Sequence, residues 1–165
     1  MKTKFEYQFE LLKQEIDTLQ NSIRSYDSMI MEIKKWAVAV YSGFLAIKFH
    51  KDYSEVSKQN TDILVYAIVA IFLFWLIDSI FKSIQGCIIK RYSEIENFIN
   101  SDDFKTSMEI GEITNIKIPD IRSQFKVTLR NKFKDIIKHG TRFHNHLLYL
   151  AMLLLTIILL NSKTS

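Results

Sequence analysis

The chain has 165 residues, of which 48% are hydrophobic and only four are Gly and one Pro, a balance that favours long helices and excludes a turn-rich β fold. Its net charge of +4 is too mild to argue for nucleic acid, and its single cysteine, Cys87, excludes an internal disulfide framework or a cysteine-rich zinc site. No cleavable signal peptide is expected, because six basic and six acidic side chains occupy the first 35 residues before any apolar run.

The N-terminal segment carries the sharpest pattern. Phe5, Phe9, Leu12, Ile16, Leu19, Ile23, Tyr26, Ile30 and Ile33 alternate at spacings of four and three, which is four heptads of apolar a and d positions separated by Glu, Lys, Gln and Asp. The register continues through Ala37, Val40, Phe44 and Ile47, and no Gly or Pro interrupts it before Gly43. The pattern predicts one helix from Lys4 to about Phe49, beginning as a coiled coil and entering an apolar stretch without a break. A seam of that length invites association with further copies of the chain.

Three runs lack charge over a membrane-like length: 36–47 (WAVAVYSGFLAI), 63–77 (ILVYAIVAIFLFWLI, extended to 81) and 147–160 (LLYLAMLLLTIILL, extended back to 143). A bilayer core of about 30 Å takes roughly 20 apolar residues in a helix. The second run meets that with its flanks, the third nearly does, and the first is short enough to pass for a buried soluble helix. A globule of this size can bury one all-apolar helix but hardly three, so the expectation is three short membrane-spanning helices. Trp36, Tyr41, Trp75 and Tyr149 are compatible with an interfacial aromatic belt.

Lys and Arg number six before residue 36, three in the first loop, twelve from 82 to 142 and one in the tail. By the positive-inside rule the N-terminus and the long middle stretch are cytosolic, and the first loop and C-terminus external. The expected organisation is a cytosolic coiled-coil helix (1–35), a first span (36–49), an external loop (50–62), a second span (63–81), a cytosolic helical region (82–142), a third span (143–161) and an external tail (162–165). The location implied is a membrane.

Beyond the second span, Ile77, Phe81, Ile84, Ile88, Ile95 and Phe98 hold the same seam, with Arg91 in one slot. The second span is thus expected to run on as a helix to about Asn100 and to lie antiparallel to the N-terminal helix, with a kink allowed at Gly86. Ser101, Asp102 and Asp103 mark a helix boundary, 110–119 reads as a loop or short strand, and Pro119 opens a last cytosolic helix.

Little looks catalytic: there is no glycine-rich phosphate loop and no nucleophile motif, so no enzyme activity and no cofactor are expected. His144 and His146, with His139 nearby, invite a metal reading, but residues two apart point to different sides of a helix and no acid or cysteine joins them. Asp78 is the one acid in an apolar run; it suits either a local pair with Lys82, four residues on, or a polar contact at a pore mouth. Ala39, Ser42, Gly43 and Ala46 form a small-residue face, suited to close helix packing within one subunit or between subunits. Arg122, Lys126, Arg130, Lys134, Lys138 and Arg142 recur every fourth residue. That stripe suits anionic lipid under the positive-inside bias, or an anionic ligand such as a nucleotide or oligonucleotide held bidentately by Arg.

A coiled helix leading into short spans, with a cytosolic helix after the second, resembles the SLATT-type membrane effectors of bacterial anti-phage nucleotide-signalling systems, of which the Hailong membrane effector is one. The resemblance covers residues 1–103 and rests on layout, so it carries no residue assignment. It implies a homo-oligomeric pore that answers a nucleotide signal, depolarises the membrane in abortive infection, and works with a nucleotide-synthesising partner enzyme. The expected function is therefore a ligand-gated ion channel or pore. The other class is a non-conducting membrane scaffold that presents its coiled coil to a cytosolic partner.

Overall fold

A computed structural model describes residues 3–50, 57–118 and 143–161 of the chain. All regular structure among these residues is helical: α1 (Lys4–Phe49), α2 (Ser57–Ile99), α3 (Asp102–Ile110) and α4 (Phe143–Asn161). The heptad register and the lack of helix breakers thus yield an α1 that ends at the predicted residue, and α2 runs through Gly86 as one helix. Residues 111–118 follow as turn and irregular chain, with no strand.

The chain divides into two compact units, Met1–Asp27 with Ser83–Lys132, and Ser28–Lys82 with Phe133–Ser165. In the first unit the seam is filled from within. Leu12 and Leu19 of α1 are buried with Ile88, Ile95 and Phe98 of α2 and with Ile113, and Phe5, Ile16, Ile23 and Tyr26 pack against them. Two apolar faces of the same 3.6 period cover one another. Of the seam residues in this unit, Phe9 stays on the surface.

Polar rungs fix the antiparallel register. Gln85 Nε2 donates to Asp27 Oδ1 at 2.7 Å, Gln20 Nε2 to the Tyr92 hydroxyl at 3.2 Å, and Arg91 reaches Glu15. From Gln85 to Arg91 and Tyr92 along α2 the partner on α1 falls from Asp27 to Glu15 and Gln20, so the two helices run antiparallel. Further on, the Gln8 amide holds the backbone of Ile113 at both ends, accepting from its N–H at 2.8 Å and donating to its carbonyl at 3.2 Å.

The Glu15–Arg91 pair is the most demanding feature of this unit, since both residues are buried. Arg91 Nε donates to Glu15 Oε1 at 2.9 Å and Arg91 NH2 donates to Glu15 Oε2 at 3.3 Å and to the Lys117 carbonyl at 2.7 Å. The fork geometry of guanidinium makes this possible: two donors neutralise the carboxylate and a third pins the 111–118 segment.

Helix α3 sits on this core through Phe104, whose ring lies 5.8 Å from Phe9, 6.1 Å from Phe5 and 5.7 Å, edge on, from Phe98. Asp102 and Asp103 in its first turn face the positive end of the helix dipole. It ends at Gly111, whose φ of 77° is left-handed, with the N–H groups of Gly111 and Glu112 both donating to the Ser107 carbonyl. Only Gly adopts that conformation without strain. Gly111→Ala is expected to destabilise the unit by about 1–2 kcal/mol, read as a shift of the chemical-denaturation midpoint.

Candidate functional site

The second unit is built from the C-terminal half of α1, the N-terminal half of α2 and α4. Its inner face is small: Ala37 and Tyr41 of α1, Ala67 and Ile71 of α2, and Tyr149 and Met152 of α4, with Phe44, Leu45, Phe74, Trp75 and Leu148 packed around them. Two alanines at the centre let the helix backbones approach closely.

Hydrogen bonds tie α1 to α4. The Tyr41 hydroxyl lies 3.1 Å from both the Met152 carbonyl and Thr156 Oγ1, and Thr156 Oγ1 in turn donates to the Met152 carbonyl at 2.8 Å. Lys48 Nζ donates to the Leu159 carbonyl at 3.1 Å, placing a cation at the negative end of the α4 dipole. These pairs advance together along both helices, so α1 and α4 run parallel.

The outer face reverses the usual order of a soluble protein. Trp36, Ile47 and Phe49 of α1, Val65, Tyr66, Val69, Phe72, Leu73 and Ile77 of α2, and Leu147, Leu150, Leu154 and Ile158 of α4 are all exposed. A soluble chain rarely leaves so large an apolar surface uncovered. Helix α2 is long and apolar enough to cross a membrane, and only 28% of its most apolar stretch is buried among the described residues.

Among the described residues α2 is the one helix that meets the length and apolarity of a span. Three spans were expected from the sequence, and the reason for the shortfall is length. The charge-free run of α1 covers twelve residues, about 18 Å of helix against a core of about 30 Å. The apolar helix at Leu147–Asn161 is likewise below span length.

Of the expected aromatic belt, only Trp36 is exposed; Tyr41 and Tyr149 turn inward and Trp75 packs against the core. Comparison with known protein families, curated proteins and solved structures gives no match.

Ala39, Ser42, Gly43 and Ala46 are all exposed, and a Cβ built on Gly43 would meet nothing within 4 Å. The described chain does not use this face for its own packing. Asp78 is buried and its Oδ2 accepts from Lys82 Nζ at 2.7 Å, the local pair that the four-residue spacing allowed.

The basic stripe Arg122, Lys126, Arg130, Lys134, Lys138 and Arg142 lies outside the described residues, as does His139. His144 and His146 fall in the first turn of α4. Among the described residues no group of His, Cys, Asp or Glu could hold a metal ion.

Several functional contacts went unread in the sequence. Tyr149 and Thr156, the two polar side chains in the 147–160 run, stand seven residues apart, two turns along one face, and that spacing was the available signal for an inward polar stripe. Nothing local marked Lys48 as the cap of a distant helix.

Proposed function

We propose that the chain is an integral membrane protein of a bacterial inner membrane, N-terminus cytosolic and C-terminus external, with the helices of its Ser28–Lys82 and Phe133–Ser165 unit in the bilayer. The observation that carries this reading is the apolar surface exposed on α1, α2 and α4 alike. Parallel α1 and α4, with α2 antiparallel between them in sequence, fit an odd number of crossings. Short helices are accommodated by local thinning of the bilayer and by flanking polar residues that reach the interface.

In this reading the protein acts as a homo-oligomeric pore. The uncovered Ala39, Ser42, Gly43 and Ala46 face supports association between copies inside the membrane, where small residues bring backbones together. The closed N-terminal seam of the first unit weighs against the alternative, a scaffold offering that seam to a cytosolic partner. The layout shared with SLATT-type effectors supports control by a nucleotide or oligonucleotide, supplied by a partner enzyme, and depolarisation as the outcome in anti-phage defence. The basic stripe from Arg122 to Arg142 is the docking stretch proposed for that anion. Such gating requires the ligand to bind one state more tightly than the other.

The test is ion flux in neutral-lipid liposomes, with and without nucleotide or a short oligonucleotide. Wild type is expected to conduct under ligand control. The Arg122, Lys126, Arg130 and Lys134 to Gln variant should insert and assemble but lose that control. Lipid contact alone predicts gating intact and a weaker dependence on anionic lipid. Absence of flux under every condition leaves the scaffold as the better reading.

A further inference from the structure

The three helices of the second unit carry their exposed apolar side chains over a similar, short height. On α1, beyond Lys34 and Lys35, these run from Trp36 to Phe49, on α2 from Val65 to Ile80 and on α4 from Leu147 to Ile158. At 1.5 Å per residue the belts measure about 20, 22 and 17 Å, against about 30 Å for an ordinary hydrocarbon core. Hydrogen bonds set two of the belts level. Tyr41 with Met152 and Lys48 with Leu159 each pair residues 111 positions apart. Along the parallel helices Trp36 therefore lies at the height of Leu147, and Ile47 at that of Ile158.

A short belt can meet a thick bilayer when charged side chains at its rim reach outward to the headgroups. Here the rim charges are held inward. Lys48, 8% exposed, donates from Nζ to the Leu159 carbonyl at 3.1 Å. Beyond the apolar run of α2, Lys82 has 11% of its side chain exposed and donates to Asp78 Oδ2 at 2.7 Å. The antiparallel course of α1 and α2 puts these two pairs at opposite rims. Each bond would have to break before its ammonium could follow a thicker bilayer. Of the two accommodations open to short helices, reaching flanks and a thinner bilayer, these rims leave the second.

We propose that this unit is fitted to a hydrocarbon core of about 20 Å, so that it collects in thin membrane and thins the bilayer around itself. This preference rests on the membrane reading given above and names the lipid that the bundle selects, one with short acyl chains. An ordinary core exceeds the belt by about 10 Å. With the rims pinned, that mismatch falls on the lipid.

The test reconstitutes the full chain into vesicles of monounsaturated phosphatidylcholines of graded acyl length, with cores from roughly 20 to 33 Å. Alkaline extraction followed by flotation gives the ratio of inserted to extracted protein. That ratio is expected to be highest in the thinnest vesicles and to fall at least about tenfold across the series. Asp78→Leu with Lys82→Leu removes the charge pair without stranding one partner, and it extends the charge-free run of α2 as far as Ile89. Its ratio should fall less steeply. A wild-type ratio that is flat across the series, or greatest near about 30 Å, overturns the thickness match and leaves the membrane reading standing. A folded double variant whose ratio falls as steeply as wild type also overturns it, because the pinned pair then sets no edge. If the double variant loses its helicity, the wild-type series alone decides. Extraction from every vesicle, the thinnest included, sinks the membrane reading itself.

Discussion

Arg91→Ala is expected to destabilise the first unit by about 3–5 kcal/mol, one of the two largest effects foreseen for this chain. Three losses combine. The Glu15 carboxylate, with 1% of its side chain exposed, loses both guanidinium donors in an apolar core. The Lys117 carbonyl loses its donor, releasing the segment whose Ile113, Ile116 and Ile118 cover that core. The side chain that filled one slot of the α2 seam is replaced by a cavity. Replacing both charges, as Glu15→Leu with Arg91→Met, removes the buried-charge problem and should recover most of the loss, since well-packed apolar substitutes for a buried ion pair are often neutral or better. Equilibrium denaturation followed by far-ultraviolet circular dichroism reads both variants. A double variant no more stable than Arg91→Ala would show that the hydrogen bond to Lys117, and not the charge balance, is what matters.

That pair also shows where the sequence stops being legible. The heptad period of α1 and its continuation beyond Ile77 were enough to place both long helices and their C-terminal ends, because a period of 3.6 and a lack of breakers are local properties, but α2 starts at Ser57, inside the stretch expected to be external loop. Which surface would cover the seam was not local. An a/d stripe reads the same whether its partner is another copy or a later helix of the same chain. The arbiter was polar: Glu15 beside the seam, Arg91 within it, and Gln8, Gln20 and Gln85 at the rungs select one intrachain register. Only after α2 is laid against α1 do these residues read as partners.

In the second unit the apolar runs were plain but their inward and outward faces were not. A run such as 147–160 has almost no polar residue to break its symmetry, and a weak contrast gives a weak prediction of facing. Tyr149 and Thr156 supply what contrast there is, and both face in. The small residues of α1 were visible as a stripe, but whether another helix of the same chain would cover them depended on where α4 docks. Tyr41 and Lys48, through Met152, Thr156 and Leu159, seat α4 on another face of α1.

Phe72→Lys is expected to lower membrane insertion of α2 by about 2.5–3.5 kcal/mol, on the order of a hundredfold in the insertion equilibrium. Phe72 stands at the middle of the 63–81 stretch with 57% of its surface uncovered by the chain. The two readings of an exposed apolar residue diverge sharply at this position. In water, lysine there would be neutral or would improve solubility, because it replaces hydrophobic surface with charge. In a bilayer it sets an ammonium at the depth where its long stem is least able to reach the headgroups. The ring also touches Trp75, at 5.6 Å between centroids, so Phe72→Leu serves as the control that removes the aromatic contact and keeps the apolar surface. Engineered glycosylation sites on either side of α2, scored during synthesis into microsomes, measure the inserted fraction. Efficient insertion of the leucine variant beside failure of the lysine variant is the expected pair. Equal insertion of both, or a lysine variant that stays in the soluble fraction with its helicity and melting temperature unchanged, would mean that the apolar face of α2 meets protein and not lipid.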